Sequence, residues 1–258
     1  MKLELEGANV LVTGGSKGIG LACARVFLAE GAKVALVSRS QANLDAALAT
    51  LPGAIGAAAD LTDPAAAQRA LDEVEARLGP VDVLVNSAGA ARRTPPDELT
   101  PAAWREAMDA KYFAYIHMID PAIKRMGARG RGVIVNVIGS GGKVASPTHL
   151  AGGAANAALM LATAGLGAAY ARKGVRVVGV NPGLTETERL KEGFRATARL
   201  AGIDLEEARR RGAESLALGR FATPEEIADV VVFLASARAS YVTGVTLGLD
   251  GATQPTVV

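Results

Sequence analysis

Short runs of β-branched residues alternate with alanine-rich stretches along most of the chain. The run "NVLVTGG" is followed by "GIGLACARVFLAEG", and helical patterns likewise separate "KVALVSRS", "VDVLVNSAG" and "GVIVNVIGS". An all-parallel sheet is covered by helices on both faces, so its strands are continuously apolar and its crossovers are helical. The alternation therefore predicts an α/β fold with a doubly wound parallel sheet.

The length of the chain fits a single domain. An α/β domain can reach about 200 to 250 residues undivided, and this chain has 258 residues without a linker, tandem repeat or low-complexity tract. Residues 1–258 are therefore predicted to form one domain. Residues 185–219 are rich in Arg and Glu and interrupt the alternation, so they are predicted to form a lid over the substrate.

The charge and cysteine content exclude several function classes. There are 28 Lys and Arg against 26 Asp and Glu, for a net charge of +2, so neither nucleic acid nor an anionic membrane is expected as a partner. Gly, Arg, Lys or Asp interrupts each apolar run, so no membrane span is expected. The single cysteine, Cys23, excludes an intramolecular disulfide, and the first residues do not resemble a signal peptide. A cytoplasmic location is predicted.

A glycine-rich turn joins the first predicted strand to the first predicted helix in "VLVTGGSKGIGLACARVF". Gly14, Gly18 and Gly20 allow a tight turn and a close backbone approach, and the start of the helix attracts negative charge. The alternative is an ordinary strand-to-helix turn. The flanking strand, helix and second strand favour the cradle of a dinucleotide pyrophosphate in a Rossmann-type fold.

The end of the second strand indicates which dinucleotide is bound. A carboxylate there would accept from the ribose hydroxyls of NAD, whereas the 2′-phosphate of NADP needs cations. In "VALVSRS", Ser38 replaces the acid, Arg39 follows it, and Lys17 lies in the glycine turn. These residues favour NADP(H) over NAD(H), the alternative being that both cations are merely solvated surface residues.

Five motifs, in order and over nearly the whole chain, resemble the short-chain dehydrogenase/reductase family. They are "TGGSKGIG", "DLTD", "NSAG", "NPGLTET" and "TGVTLGLDGA". The resemblance implies that Asp60 and Leu61 line the adenine pocket, with further residues beside the ribose and the nicotinamide. Together with the turn and strand-end arguments, it predicts this cofactor-binding set: Gly14, Ser16, Lys17, Gly18, Ile19, Gly20, Ser38, Arg39, Asp60, Leu61, Asn86, Ala88, Gly89, Pro182, Gly183, Thr185 and Thr187.

The usual catalytic positions of the family are changed in this chain. Members of the family that this chain resembles usually have four catalytic groups. They are a Tyr that moves the proton, a Lys that lowers the pKa of that Tyr, a Ser that orients the carbonyl and an Asn that anchors a water. Counting from the family's landmarks, the Tyr position becomes Gly152, the Lys position Asn156, the Ser position Gly139 beside Ser140, and the Asn position Lys111. Lysine and asparagine have therefore exchanged places, and Lys111 is predicted to supply the positive charge.

A substitute proton donor is needed in such a site. His149 precedes Gly152 by three residues, and imidazole exchanges protons near neutral pH; the alternative is that His149 only packs or bonds locally in the loop. The predicted catalytic set is Lys111, Asn156, Ser140 and His149, with no metal. The alternative reading leaves Lys111 on the helix surface and Asn156 in a degenerate site. Two function classes follow: an NADP(H)-dependent oxidoreductase acting on a carbonyl or alcohol, or a catalytically silent nucleotide-binding sensor or subunit.

The helix predicted over Gly152 to Ala171 is small and apolar almost all round. Such a helix has to be buried on every side. The resemblance implies that a second subunit covers it, so a homodimer or homotetramer is predicted, unless the chain itself covers the helix. Arg189, Lys191, Arg195 and Arg199 indicate an acidic substrate, whereas the interspersed glutamates favour a solvated amphipathic helix.

Overall fold

The computed structural model describes residues 2–89 and 92–254. Within this part of the chain, seven parallel strands form one sheet in the order β3-β2-β1-β4-β5-β6-β7, which confirms the predicted doubly wound α/β fold. The strands are β1 (Asn9–Thr13), β2 (Lys33–Ser38), β3 (Ile55–Ala58), β4 (Val83–Asn86), β5 (Gly132–Val137), β6 (Val175–Pro182) and β7 (Thr246–Leu249).

Helices connect the strands and cover both faces of the sheet. They are α1 (Gly18–Ala29), α2 (Gln41–Leu48), α3 (Pro64–Leu78), α4 (Pro101–Ala107), α5 (Ala114–Arg129), α6 (Leu150–Tyr170), α7 (Glu188–Ala201), α8 (Leu205–Glu214) and α9 (Pro224–Ala235). A π-helical turn, Met108–Phe113, joins α4 to α5. Two short 3₁₀ turns, Ser140–Gly142 and Pro147–His149, lie between β5 and α6.

Two apolar layers hold the sheet between the helices. On one face, Phe27 of α1 and Val231 of α9 are fully buried in a cluster with alternate residues of the strands. On the other face, Leu71 of α3, Tyr115 of α5 and Leu159 of α6 form the second cluster. The long continuous apolar strands are explained by this burial on both sides.

The strand order reverses between β1 and β4. β1 pairs in parallel with β2 on one side and with β4 on the other. In such sheets, ligands bind in the crevice at the carboxyl ends of the strands beside this switch point. The loops that follow β1, β4, β5 and β6 therefore delimit the candidate site.

Helix α6 corrects the expectation that no segment is long and apolar enough to span a membrane. The stretch Pro147–Lys173 meets both conditions by length and composition. In the folded chain, however, Ala155, Leu159 and Thr163 are completely buried against the sheet. The apolar character of α6 is that of a core helix, whose opposite face carries Leu161 with 77% of its surface exposed.

Two helices occupy the region predicted as a lid. α7 and α8 lie between β6 and α9, and the Phe194 ring of α7 packs on Phe221 with centroids 5.3 Å apart. The start of this region is fixed, because backbone bonds join Leu184 and Glu186 to Ala222. That these helices close over a substrate stays a prediction.

Candidate active site

The glycine turn after β1 has the shape required for a close backbone approach. Gly14 has a φ of +64°, and a Cβ added there would lie 2.7 Å from the backbone of Ala88. A Cβ on Gly20 would lie 2.4 Å from the carbonyl oxygen of Gly14. Side chains at these two positions would displace backbone, so the turn needs glycine for steric reasons. The predicted cradle therefore lies directly beside the loop that follows β4.

The loop after β6 meets the same turn. A Cβ on Gly18 would lie 3.2 Å from the Thr187 methyl group, and the Thr187 hydroxyl accepts from the Leu190 backbone N–H to begin α7. The Thr185 hydroxyl donates to the carbonyl of Gly183, and Pro182 is the last residue of β6. The structure thus brings Thr187 to the glycine turn, whereas the predicted contacts with nicotinamide stay predictions.

The end of β2 carries no carboxylate. The hydroxyl oxygens of Ser16 and Ser38 lie 2.9 Å apart, which joins the glycine turn to the end of β2. Lys17 and Arg39 flank this pair and are exposed. Two hydrogen bonds from Thr62 hold the pKa of Asp60 below its ordinary value, and the positive charge of Arg39 lowers it further. A cation thus lies beside the serine pair, and binding of a 2′-phosphate there stays a prediction.

The residues after β3 have roles within the chain. One carboxylate oxygen of Asp60 accepts from both the backbone N–H and the hydroxyl of Thr62. Leu61 is 5% exposed and belongs to the core, and its carbonyl lies 2.9 Å from Nδ1 of His117. This contact holds the His117 ring against the loop that follows β3. An adenine contact for Asp60 and Leu61 stays a prediction.

A chain of buried polar side chains crosses the sheet beneath the site. The Thr13 hydroxyl donates to the Asn86 amide oxygen, the Asn86 amide donates to Asn136, and Asn136 donates to Thr163 of α6. Asn86 is completely buried, so its side chain binds the neighbouring strands. That Asn86, Ala88 and Gly89 lie beside the cofactor ribose stays a prediction.

Gly89 allows the loop after β4 to pass the π-helical turn. Its φ is +89°, and a Cβ there would lie 2.1 Å from the carbonyl oxygen of Ala110. Any side chain would therefore push the loop away from Lys111, the next residue in that turn. π turns occur frequently at functional sites because they reorient a side chain within a helix.

Lys111 is directed into the interior. It is 8% exposed, and its Nζ donates to the Tyr115 hydroxyl at 2.8 Å and to the carbonyl oxygen of Val137 at 3.1 Å. The Tyr115 hydroxyl donates to the same carbonyl at 2.5 Å. The alternative of Lys111 as a solvated surface residue is therefore excluded, and its amino group is held at the end of β5.

Burial gives these two groups different acidities. It lowers the pKa of Lys111 to about 7, with a smaller repulsion from Arg189. Both the ammonium and the amine are then populated near neutral pH, as a general acid at that pH requires. Burial raises the pKa of Tyr115, so its hydroxyl stays protonated and acts as a hydrogen-bond donor.

The turn after β5 brings the other candidates together. Gly139 has a φ of +119°, and Ser140 follows it at the start of the 3₁₀ turn. A Cβ on Gly141 would lie 3.1 Å from the His149 ring and 3.6 Å from the Asn156 amide nitrogen. His149 and Asn156 therefore both border this turn, while Lys111 is bound to Val137 at its beginning. The four predicted catalytic residues surround the carboxyl end of β5.

His149 is surrounded by positive charge. Its Nδ1 is buried and has no hydrogen-bond partner among the described residues. Burial lowers the pKa of His149, and repulsion from Arg93, Arg189 and Lys111 lowers it further. The imidazole is therefore uncharged at neutral pH in this arrangement.

Sequence reasoning missed Tyr115 and Arg93. Tyr115 follows Lys111 by four residues, a spacing that places two side chains on one face of an ordinary helix, so a signal for this pair was present. Arg93 is brought to the site by Thr148, whose hydroxyl oxygen lies 3.4 Å from its Nη1. Nothing in the sequence indicated that contact, because the two residues are distant along the chain. In the described part of the chain, no three His, Cys, Asp or Glu side chains form a group that could hold a metal.

Comparison with known proteins gives consistent matches over most of the chain. The sequence model of the family described as short chain dehydrogenase matches residues 8–197. Galactitol 2-dehydrogenase (L-tagatose-forming) of Cereibacter sphaeroides is 38% identical over 96% of this chain and 95% of its own. Gluconate 5-dehydrogenase of Gluconobacter oxydans is 33% identical over 96% of this chain and 95% of its own. The structure of L-sorbose reductase from Gluconobacter frateurii, complexed with NADPH and L-sorbose, superposes with a TM-score of 0.94 at 28% identity and covers 100% of both chains.

Proposed function

The chain belongs to the short-chain dehydrogenase family, and on that premise we propose that it is an NADP(H)-dependent oxidoreductase interconverting a small carbonyl compound and its alcohol. The observation that carries this proposal is the position of Lys111, a buried amino group held at the end of β5 by hydrogen bonds to Tyr115 and to the carbonyl of Val137. Ser140 and Asn156 border the same turn. The relatives reported above are named dehydrogenases and a reductase, and this supports the reaction class.

The residues of the glycine turn fit NADP(H). Gly14 and Gly20 have no side chain at the point where the turn packs against the backbone of Ala88 and the start of α1. Ser16 and Ser38 offer hydroxyl groups in place of a carboxylate, and exposed Lys17 and Arg39 supply positive charge for a 2′-phosphate. When bound, NADPH supplies the hydride.

Lys111 would supply the proton in the reduction of a carbonyl. An ammonium group has three N–H donors, of which two bind Tyr115 and the carbonyl of Val137. The third is left to donate to the developing negative charge on the substrate oxygen. Ser140 and Asn156 would orient the carbonyl by hydrogen bonds, and His149 is a second donor candidate at the same turn.

A substrate screen with NADPH and NADP tests the proposal. Carbonyl compounds and their alcohols are followed by absorbance of the reduced nicotinamide, with the Lys111→Met protein as the control. We expect at least one pair to be interconverted by the parent protein and much more slowly by the variant. Equal background rates for both proteins across the screen would contradict the proposal.

A silent nucleotide-binding protein is the second candidate. It is favoured by the engagement of Lys111 with Tyr115 and Val137, and by Gly152 in place of the family's tyrosine. It predicts NADPH binding without turnover of any carbonyl or alcohol. Calorimetric titration of NADPH beside the substrate screen separates the candidates, because both require binding and only the enzyme shows turnover.

We also propose that the protein is a homodimer or homotetramer assembled through α6, working in the cytoplasm. One face of α6 packs on the sheet, and the other presents Leu161 with small residues such as Ala157 and Ala164 to solvent. A second copy would bury this face. Leu161→Arg should therefore yield monomers in sedimentation, whereas Leu218→Arg, at another exposed leucine, should not. A monomeric parent protein would contradict this proposal.

A further inference from the structure

We propose that Tyr115 is a positioning residue for the proton transfer assigned to Lys111. Its hydroxyl group accepts a hydrogen bond from the ammonium form of Lys111, and it turns to donate one to the amine that is left after the proton has passed to the substrate. This inference rests on the proposed function for its reaction. The pairing of the two side chains, however, can be tested without a substrate.

Three atoms form a closed hydrogen-bonded group at the end of β5. The Lys111 Nζ lies 2.8 Å from the Tyr115 hydroxyl oxygen and 3.1 Å from the Val137 carbonyl oxygen, and the two oxygens are 2.5 Å apart. A carbonyl only accepts, so the ammonium group donates to both oxygens and the Tyr115 hydroxyl donates to the carbonyl. The direction of each bond is thereby fixed, and one N–H of the ammonium group remains for the substrate.

Tyr115 acts on the reaction only through Lys111. Its side chain is completely buried in the apolar layer that contains Ile134 and Leu159. Within the described residues, its hydroxyl is bonded to Lys111 and Val137 alone. Burial raises the pKa of Tyr115, so the hydroxyl does not ionise and does not itself supply the proton.

Proton transfer changes what this group of atoms requires. Loss of a proton turns the Lys111 ammonium into an amine, whose nitrogen has a lone pair and two N–H bonds. Rotation of the Tyr115 hydroxyl moves its hydrogen from the Val137 carbonyl to that lone pair, and an N–H of the amine then donates to the carbonyl. All three atoms stay hydrogen-bonded in both states, whereas an unpaired buried polar atom would be costly. Uptake of a proton by the amine reverses the rotation.

The ring of Tyr115 makes a separate contact with Lys111. The Nζ lies 4.5 Å from the ring centroid, within the range of a cation–π interaction. Phenylalanine keeps this contact and fills the same space apart from the hydroxyl group. Tyr115→Phe therefore isolates the contribution of the hydroxyl.

Titration of the Lys111 side chain is the direct test. Lysine labelled with ¹³C at Cε is followed by NMR as the pH is raised, and Lys111→Met assigns the signal. Hydrogen bonds from a charged donor are roughly twice as strong as neutral ones, so Tyr115→Phe should lower the titration midpoint by roughly one pH unit. Arg189 and His149 also interact electrostatically with Lys111, and both are kept in the variant. An unchanged or higher midpoint would overturn the proposal.

Two further proteins separate the hydroxyl from packing. Tyr112→Phe removes a hydroxyl from the same π-helical turn, where the Tyr112 ring packs edge-on against Phe113, and it should leave the midpoint of Lys111 unchanged. An equal shift in this control would assign the effect to altered packing and contradict the proposal. Replacing Tyr115 by 3-fluorotyrosine keeps the hydroxyl but weakens it as an acceptor. The midpoint should then fall by less than in Tyr115→Phe, and this protein decides the question should Tyr115→Phe fail to fold.

Kinetics separate this inference from the proposed function. Reduction needs the ammonium form, so kcat/KM should decline as the pH rises above the pKa of Lys111. Tyr115→Phe should move this decline to lower pH by the shift seen in the titration, and kcat should fall at least about threefold with KM little changed. If a substrate is turned over with an unchanged pH profile, the role of Tyr115 is wrong and the enzyme stands. If the midpoint shifts and no substrate is turned over, the pairing stands and the proposed function fails.

Discussion

The two halves of the candidate site differ in how closely they follow the family. The glycine turn between β1 and α1 keeps its three glycines, and two of them have backbone where a Cβ would lie. At the end of β5, the lysine and asparagine positions of the family are predicted to be exchanged, and the tyrosine position is predicted to be Gly152. The difference shows which parts of the site the fold itself requires. A cradle made of backbone tolerates no side chain, whereas catalytic side chains can be replaced without loss of packing.

Helix α6 illustrates this tolerance. Gly152 and Asn156 are buried in it, yet Leu159 and Thr163 of the same helix still pack on the sheet. Thr163 also accepts a hydrogen bond from Asn136, so the position of α6 depends on contacts outside the exchanged pair. The catalytic half can therefore change while the fold is kept.

The largest expected effect is that of Gly14→Ala. The new Cβ would lie 2.7 Å from the backbone of Ala88 and would occupy a left-handed conformation. We expect NADPH affinity to fall by about a hundredfold or more, equivalent to roughly 3 kcal/mol, when measured by calorimetric titration.

Gly7→Ala is the matched control for that change. Gly7 has a φ of +74° but nothing within 4 Å of its added Cβ. It should cost roughly 1 kcal/mol of stability for the strained backbone and leave NADPH affinity unchanged. If both variants bind NADPH equally well, the glycine turn tolerates a side chain, and its proposed difference from the catalytic half is wrong.

Lys111→Met should have the next largest effect. It removes the charge and the proton donor proposed for the catalytic half, at similar side-chain length. Turnover should fall at least about tenfold, which corresponds to roughly 1.4 kcal/mol in the barrier. Steady-state kinetics with the substrate found in the screen measure it, and a variant as fast as the parent would make Lys111 a bystander.

Lys111 also predicts a pH dependence of stability. Its pKa is about 7 in the native protein against an ordinary 10.5, so between these values the unfolded chain binds a proton that the native chain does not. The free energy of unfolding therefore rises with pH across this window and falls as the pH is lowered towards 7. Thermal unfolding at pH 7 and pH 9.5 should show this for the parent protein. Lys111→Met should gain most stability relative to the parent at pH 7 and less at pH 9.5, and a constant difference would contradict the burial of the ammonium.

Arg39→Asp tests the cofactor half without altering its backbone. A carboxylate at the end of β2 would repel a 2′-phosphate and could accept from ribose hydroxyls. The preference for NADPH over NADH should narrow by about tenfold or reverse. Arg25→Asp, at an exposed position of α1, is the control for net charge, and an unchanged preference in Arg39→Asp would exclude Arg39 from phosphate binding.

The fold and the shape of the glycine turn could be predicted from local patterns, because strand periodicity and glycine spacing act over short stretches of sequence. The lysine-asparagine exchange also comes from the sequence alone, since both positions are counted from neighbouring motifs, and it stays a prediction. The environment of Lys111 could not be predicted in the same way. Its low pKa arises from burial and, to a smaller extent, from the positive charge of Arg189, both of which depend on how α5, α7 and β5 pack. The contact between Arg93 and Thr148 likewise joins residues from different loops.

His149→Gln should have the smallest effect on the reaction. Burial and three neighbouring cations lower the pKa of His149, so its imidazole lacks the acidic proton of an imidazolium at neutral pH and is a weaker proton donor than Lys111. Glutamine keeps a polar side chain beside Gly141, and we expect turnover to fall by only about threefold, well below the loss for Lys111→Met. His117→Gln is the control for replacing a histidine elsewhere. A loss of tenfold or more, together with disappearance of a titration from the pH profile of kcat/KM, would transfer the role of donor from Lys111 to His149. Lys111 would then supply the positive charge of the catalytic half, but the proton transferred to the substrate would come from His149.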